Sequence, residues 1–305
     1  MGNPTLGEVK TIIIGVRNNA ATQKSGEVWV NELRLKEYEN EGGWAAQGNL
    51  NVQLSDFGTL NLQGRYISEG FGGLEDGVAE RAKDNFKSYS VTTNLELGKF
   101  FPEKAKVSAP LYYSRTQEES SPKYNPLDTD LRLKDALDAA NRQERDSIKN
   151  IAIRRTTNTN FSLSNVRIGI QNKRHPMPYD PANFSFSYSS SSRFTSGETT
   201  VYERENNWRA ALAYNWTPVY KPLEPFKNLK GKSKWLDILK RFGLNWLPQN
   251  LSFNSDINRS YYELQERDME SKGGDRLPLT FNSQFLWNRD FAVRWDNYQD
   301  RKSVV

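Results

Sequence analysis

Between residues 44 and 299 polar and apolar residues alternate along the chain. Leu50, Val52 and Leu54 take turns with Asn51, Gln53 and Ser55, and after Asp56-Phe57-Gly58 the alternation resumes with Leu60, Leu62 and Tyr66 against Asn61, Gln63 and Arg65. A period of two sends the apolar side chains of a strand to one face and the polar ones to the other. A short link containing Gly between two such runs predicts an antiparallel hairpin. The same pattern predicts further long strands, the full set being about 44–55, 58–68, 87–99, 105–116, 157–171, 183–195, 206–217, 242–258 and 279–296. Within them Tyr89, Val91, Leu95 and Leu97 oppose Ser90, Thr92, Asn94 and Glu96, and Phe184, Phe186 and Tyr188 oppose Ser185, Ser187 and Ser189. Trp208, Ala210, Leu212, Tyr214 and Trp216 oppose Arg209, Ala211, Ala213 and Asn215, so this strand has aromatics at both ends and small aliphatics between.

Two architectures use such strands. A β-sandwich packs alternating apolar residues into a core between sheets, whereas a membrane barrel turns them to lipid and the polar residues to its lumen. Ordinary strands run about five or six residues, while a tilted membrane strand needs about 9 to 11. The lengths here, and a second face rich in Ser, Asn, Gln and Thr, favour the barrel, with Trp44, Tyr66, Trp287 and Trp295 towards strand ends as an aromatic girdle. The tight turn near 56–58 and the long excursions 69–86, 117–156 and 218–241 suggest short turns at one end, the periplasmic rim, and long loops at the other. A surface helix is expected near 129–149, capped by Asp128 or Asp130, and a shorter one near 232–242. Residues 1–43 hold two strand-like pieces, "EVKTIIIGVRN" and "GEVWVNELRL", and read as a soluble subdomain or the mouth of a barrel.

Composition narrows the alternatives. The chain has 305 residues, 36% of them hydrophobic, and a mean hydropathy of -0.80, which disfavours a single large core. The longest apolar run is Ile12-Ile13-Ile14, far short of the roughly 20 residues of a spanning helix. Barrel strands escape that test because only alternate residues are apolar. With no cysteine, disulfides and thiolate metal sites are out. The net charge of +5 is spread among 37 acids except for the cluster Lys221, Lys227, Lys230, Lys232, Lys234, Lys240 and Arg241, and no groove-reading motif accompanies it. No nucleic-acid partner is expected; a solvated face or anionic lipid head groups explain the cluster.

Catalytic chemistry finds little footing. The single histidine, His175, sits in "KRHPMPYDP" and lacks the partners of a metal site, and Glu118-Glu119 lie where a carboxylate stays solvated. "GFGGLEDG" at 70–77 has neither a following Gly-Lys-Ser/Thr nor a βαβ setting, and reads as a flexible loop or bend. No enzyme activity, cofactor or metal is expected.

The strings "GEVWVNELRL", "GGWAAQGNLNVQLSDFGTLNLQGRY", "GFGGLE", "YYSRTQEESSPKYNPLDTD", "NWLPQNLSFNSDINRSYYELQERD" and "LWNRDFAVRWD" resemble, in this order, the SprA (Sov) family of cell-surface proteins, over Gly7 to Asp296. That resemblance implies an outer-membrane barrel acting as the translocon of type IX secretion and supporting gliding motility. It implies secreted cargo proteins, other outer-membrane secretion components and the lipid bilayer as partners. The expected fold is all-β: a curved antiparallel meander, 44–299, forming an open segment of a very large transmembrane barrel with helical insertions. The chain would be an interior fragment, and residues 300–305, Asp-Arg-Lys-Ser-Val-Val, match the translation of a sequencing-adapter read-through. Lumen-facing candidates are Asn51, Gln53, Asn61, Gln63, Arg65, Asn94, Glu96, Ser185, Ser187 and Asn215. Lipid-facing or girdle candidates are Leu50, Val52, Leu54, Leu60, Leu62, Tyr66, Trp208, Leu212, Tyr214, Trp216, Trp287 and Trp295. The competing functions are a secreted carbohydrate-binding β-sandwich and an outer-membrane uptake porin.

Overall fold

A computed structural model describes residues 11–31, 41–77, 80–171, 176–221, 223–226, 242–268, 276–296 and 298–300. His175, the expected helix near 232–242 except for Phe242, which begins a strand, most of the lysine cluster and residues 301–305 lie outside them.

In chain order the elements are β1 (Ala45–Leu54), β2 (Gly58–Ile67), β3 (Asp84–Glu96), β4 (Val107–Ser108), β5 (Pro110–Pro122), β6 (Tyr124–Asn125), β7 (Asp128–Arg132), α1 (Leu133–Ala139), α2 (Arg142–Ala152), β8 (Arg154–Ile168), β9 (Phe184–Ser196), β10 (Thr200–Trp216), β11 (Phe242–Leu244), β12 (Asn250–Glu266), β13 (Thr280–Arg294) and β14 (Tyr298–Asp300). Nine long strands form an antiparallel meander in the order β1-β2-β3-β5-β8-β9-β10-β12-β13, with β4 beside β8; β1 and β13 do not meet, so the sheet is open. The all-β open meander read from the sequence is therefore present.

Among the described residues no second layer covers this sheet. Among the described residues the buried apolar side chains are Ala109, Leu133, Ala136 and Ala152, and none lies within the meander. Leu50 is 55% exposed, Trp287 50% and Phe291 75%. A sandwich needs an apolar face packed against another sheet about 10 Å away, and the described residues provide none.

Several expected details differ. Described residues 11–31 contain neither helix nor strand and are exposed; the remainder of the two strand-like pieces expected there lies outside the described residues. The expected single helix is two. Asp128 to Arg132 extends as β7, pairing with β6, and α1 begins at Leu133 with no side-chain cap. Asn141 breaks the helical run and caps α2, its side chain accepting from the Glu144 N–H while Glu144 returns a bond to the Asn141 N–H, the reciprocal pairing that favours a fresh helix start. Near 242–258 the strand is split: Pro248, with no N–H to donate, lies between β11 and β12, and β11 pairs instead with β14.

With the 55–57 turn at the bottom, the lower connections are 55–57, 97–109, 169–183 and 217–249, and the upper ones 68–83, 123–153, 197–199 and 267–279. Each end has one tight turn and three long connections. The expected sorting of short turns to one rim is absent, so loop length does not orient this segment.

Candidate functional site: one sheet, two unlike faces

The site is the sheet itself. Residues directly opposed in neighbouring antiparallel strands share a face, so the register can be followed across the meander. Starting from Asn51, the partners are Asn61, Thr92, Ser114, Asn160, Ser191, Asn207, Ser260 and Gln284. All ten lumen-facing candidates belong to this polar face. Starting from Val52 on the other side, the partners are Leu60, Thr93, Tyr113, Phe161, Ser190, Trp208, Arg259 and Phe285. Leu50, Val52, Leu54, Leu60, Leu62, Tyr66, Trp208, Leu212, Tyr214, Trp216 and Trp287 share this second face, and Trp295 follows the end of β13. One bulge, where Leu163 pairs with Tyr188 and Val166 with Phe186, keeps the faces in phase along β8; Asn165 there has φ 51° and donates its N–H to Ser187 Oγ at 2.9 Å.

Two cavities, about 560 and 330 Å³, open on the polar side, floored by Asn160, Ser162, Ser191 and Asn207. Short polar bonds stitch this face: Asn61 donates to Asn51, and Ser90 and Thr116 share a bond of 3.1 Å. Glu96 is a partial exception. Its carboxylate turns to the lower rim and accepts from the Gly98 N–H at 3.2 Å and the Ala109 N–H at 2.6 Å.

The apolar face is a band rather than a whole surface. Its upper limit falls at Tyr66, Tyr89, Tyr113, Phe161, Tyr188 and Trp208; above them on the same face stand Lys87, Arg115, Thr159, Ser190 and Asn206. Its lower limit runs from Leu54 and Gly58 to Trp216. Trp208 shares its row with Leu60, about six residues below Tyr66 along β2, and Trp216 lies about six residues below Ala210, which shares the row of Gly58. Both limits thus descend by the same amount over the five strand spacings from β2 to β10. At about 3.3 Å per residue and about 4.8 Å between strands, the band crosses the strands at about 40° from the perpendicular. That equals the tilt of strands in a membrane barrel, about 35–45°. Trp208 to Trp216 covers about 26 Å of strand and hence about 20 Å of height after tilt, close to the roughly 25 Å apolar belt of such barrels. The band is interrupted at Ser255 and Arg289; the Arg289 guanidinium stacks over Trp287, 4.4 Å from its ring centre.

Several anchoring contacts were not legible in the sequence. The Tyr214 hydroxyl donates to the Pro178 carbonyl and the Trp216 indole N–H to the Pro176 carbonyl, both at 2.9 Å. These bonds fold residues 176–183 over the outer edge of the apolar band, where Asp180 and Asn183 are buried. Trp295 donates likewise to the Asn245 carbonyl at 3.0 Å. At the upper end Arg267 caps the 197–199 turn, donating to the Gly197 and Glu198 carbonyls. The glycine-rich stretch at 70–77 also has a structural reason: a Cβ on Gly43 would stand 2.2 Å from the Phe71 nitrogen, and Gly70, at φ 77°, runs against the Glu41 carbonyl.

Below, Asp56 and Lys99 form an ion pair of 2.5 Å, which holds the Asp56 carboxyl below its ordinary range and raises Lys99; Phe57 meets Phe100 edge-on. Among the described residues no three His, Cys, Asp or Glu side chains gather to hold a metal, and no helix is long and apolar enough to cross a membrane.

Comparison with known proteins adds one finding. The chain matches none of the curated proteins. Residues 1–137 match the SprA amino-terminal family model, described as motility related/secretion protein. That stretch carries β1, β2, β3 and β5, four of the nine long strands of the two-faced sheet, and over it the chain is similar to the SprA-type motility-related/secretion proteins.

Proposed function

We propose that this chain is a wall segment of an outer-membrane, protein-conducting β-barrel, the type IX secretion translocon. The apolar band faces lipid, the polar face lines a water-filled lumen, and secreted cargo crosses there without chemistry being done on it. The observation that carries this reading is the oblique band: an uncovered apolar stripe about 20 Å high, crossing the strands at the tilt a barrel requires. A soluble sheet has no reason to keep such a stripe uncovered, because exposed apolar patches of that size mark a contact surface. The secretion and motility family supplies the context, and support of gliding motility belongs to the same proposal.

These 305 residues hold no cysteine, so a direct test is made in the full-length protein within its membrane, with any cysteine outside this stretch replaced by serine. Single cysteines at Asn61, Leu62, Gln63, Ala211 and Leu212 are exposed to a water-borne maleimide. Positions 61, 63 and 211 are expected to label and 62 and 212 to be protected, with protection lost in detergent-free urea. Equal labelling of both sets, or recovery of the protein in the soluble fraction, would falsify the proposal.

A further inference from the structure

The row through the middle of the polar face is uniform across nine strands. Asn51, Asn61, Thr92, Ser114, Asn160, Ser191, Asn207, Ser260 and Gln284 come from every long strand of the meander, and each is an uncharged hydroxyl or carboxamide. Charged residues of this face stand off the row: Arg65, Asp84, Glu118, Arg154, Arg193, Glu203 and Glu205 above it, and Arg167, Asp290, the ion-paired Arg209 and Asp256, and Glu96 with its carboxylate bonded to the rim, below it. From β1 to β9 the only aromatic near the row is Tyr112, beside Ser162.

Protein interfaces draw their affinity from buried Trp, Tyr, Arg and Met; Ser and Thr are poor anchors. Charged surfaces select partners by sign and steer their approach. A belt with neither kind of side chain keeps its water and offers a passing polypeptide only bonds that water already makes.

We infer that this row is a low-adhesion track: it lets folded polypeptides of either charge slide past the wall without a binding step. The partner class is a folded, water-soluble protein in transit. Selection of cargo therefore resides elsewhere, and the wall contributes by not binding. This rests on the conduit reading above. It explains why hydroxyl and amide residues recur along one register row in strands whose sequences otherwise differ. The short side chains bond to each other across strands, as Asn61 does to Asn51 and Thr92 to Ser114, which satisfies the wall internally.

The test uses the full-length protein in its native cells with two cargos of opposite net charge. In the variant N160F/S191F, two neighbouring side chains of the row become adhesive while strand propensity is kept. Export of both cargos is expected to fall about tenfold at unchanged abundance in the outer membrane, whereas N160S/S191T leaves both within about twofold of wild type. Should the Phe variant fail to assemble, N160K/S191K, which keeps a water-facing charge, is expected to slow the acidic cargo about tenfold and spare the basic one. Unchanged export through an assembled Phe or Lys variant overturns the inference, and so does an equal loss in N160S/S191T, which would mean specific contacts. A failure of the conduit reading is distinguishable: there, deletion of the whole protein leaves export of both cargos intact.

Discussion

The β1–β2 hairpin and the β10–β12 pair use the same alternation over different lengths. In the hairpin the apolar positions fill both strands, from Ala46 to Leu54 and back from Gly58 to Tyr66. In β10, which has 17 residues, they stop at Trp208. Above it Asn206 and Arg204 occupy the same face, and the opposite face carries Asn207, Glu205 and Glu203. The hairpin is all band; the β10–β12 pair is band below and a polar projection above. Strand length thus measures how far the sheet stands up, and the apolar run measures how much of it meets an apolar medium.

The sharpest way to break this comparison is a charge at two heights of one strand. Leu212→Arg, inside the band, is expected to destabilise the bilayer-folded protein by about 2–4 kcal/mol, and Asn206→Arg, two positions above Trp208, by about 0–1 kcal/mol. Urea titration in lipid vesicles measures both, and equal costs would remove the distinction.

Next come two glycines of the hairpin, Gly43 just before β1 and Gly64 within β2 opposite Gly48. Gly43→Ala drives a Cβ into the backbone of Phe71 and should cost about 1–3 kcal/mol, while Gly64→Ala, with nothing within 4 Å, should stay near neutral in the same titration.

A smaller effect tests the lower edge of β10, which has no counterpart in the hairpin. Trp216→Phe keeps the ring but loses the bond to Pro176, worth about 1 kcal/mol. Proteolysis within 176–183 should accelerate several-fold with the rest of the protein intact.

The smallest effect is at the hairpin's own turn, where both partners are exposed. Asp56 is held below its ordinary range by the hydrogen bond and charge of Lys99, so the tie is complete above the unfolded carboxylate pKa and lost as pH falls through the lowered one. Exchange of the Phe57 N–H, which bonds to Leu54 O, should quicken in acid beyond its intrinsic trend, and Asp56→Asn should abolish that extra dependence.

What the sequence revealed follows from the same division. Inside the band the period of two holds apart from Ser255, Arg289 and the bulge in β8, so the long strands, and the two faces of the hairpin, β3, β9 and β10, were legible in the sequence. Above the band the pattern fails. β12 runs to Glu266 through Tyr261, Tyr262 and Glu263, where both faces are polar or amphipathic, and alternation could not mark its end. The start of β10 at Thr200 was lost for the same reason. The two-helix insertion turned on Asn141, whose capping role depends on a backbone break that composition does not announce. The strap formed by residues 176–183 depends on carbonyls meeting Tyr214 and Trp216 from a distant loop, contacts that no local spacing encodes.

The outer margins of β1 and β13 have a consequence for size. Among the described residues each ends in a row of N–H and C=O groups that no other strand answers, while every interior strand is answered on both sides. An arc of this kind has no circumference of its own. Each margin accepts one more strand as readily as the last, and the ring stops growing only when the two margins find each other. In the barrel proposed above, the bore is therefore fixed by how many strands come between them and by the slope at which they join, rather than by anything packed inside.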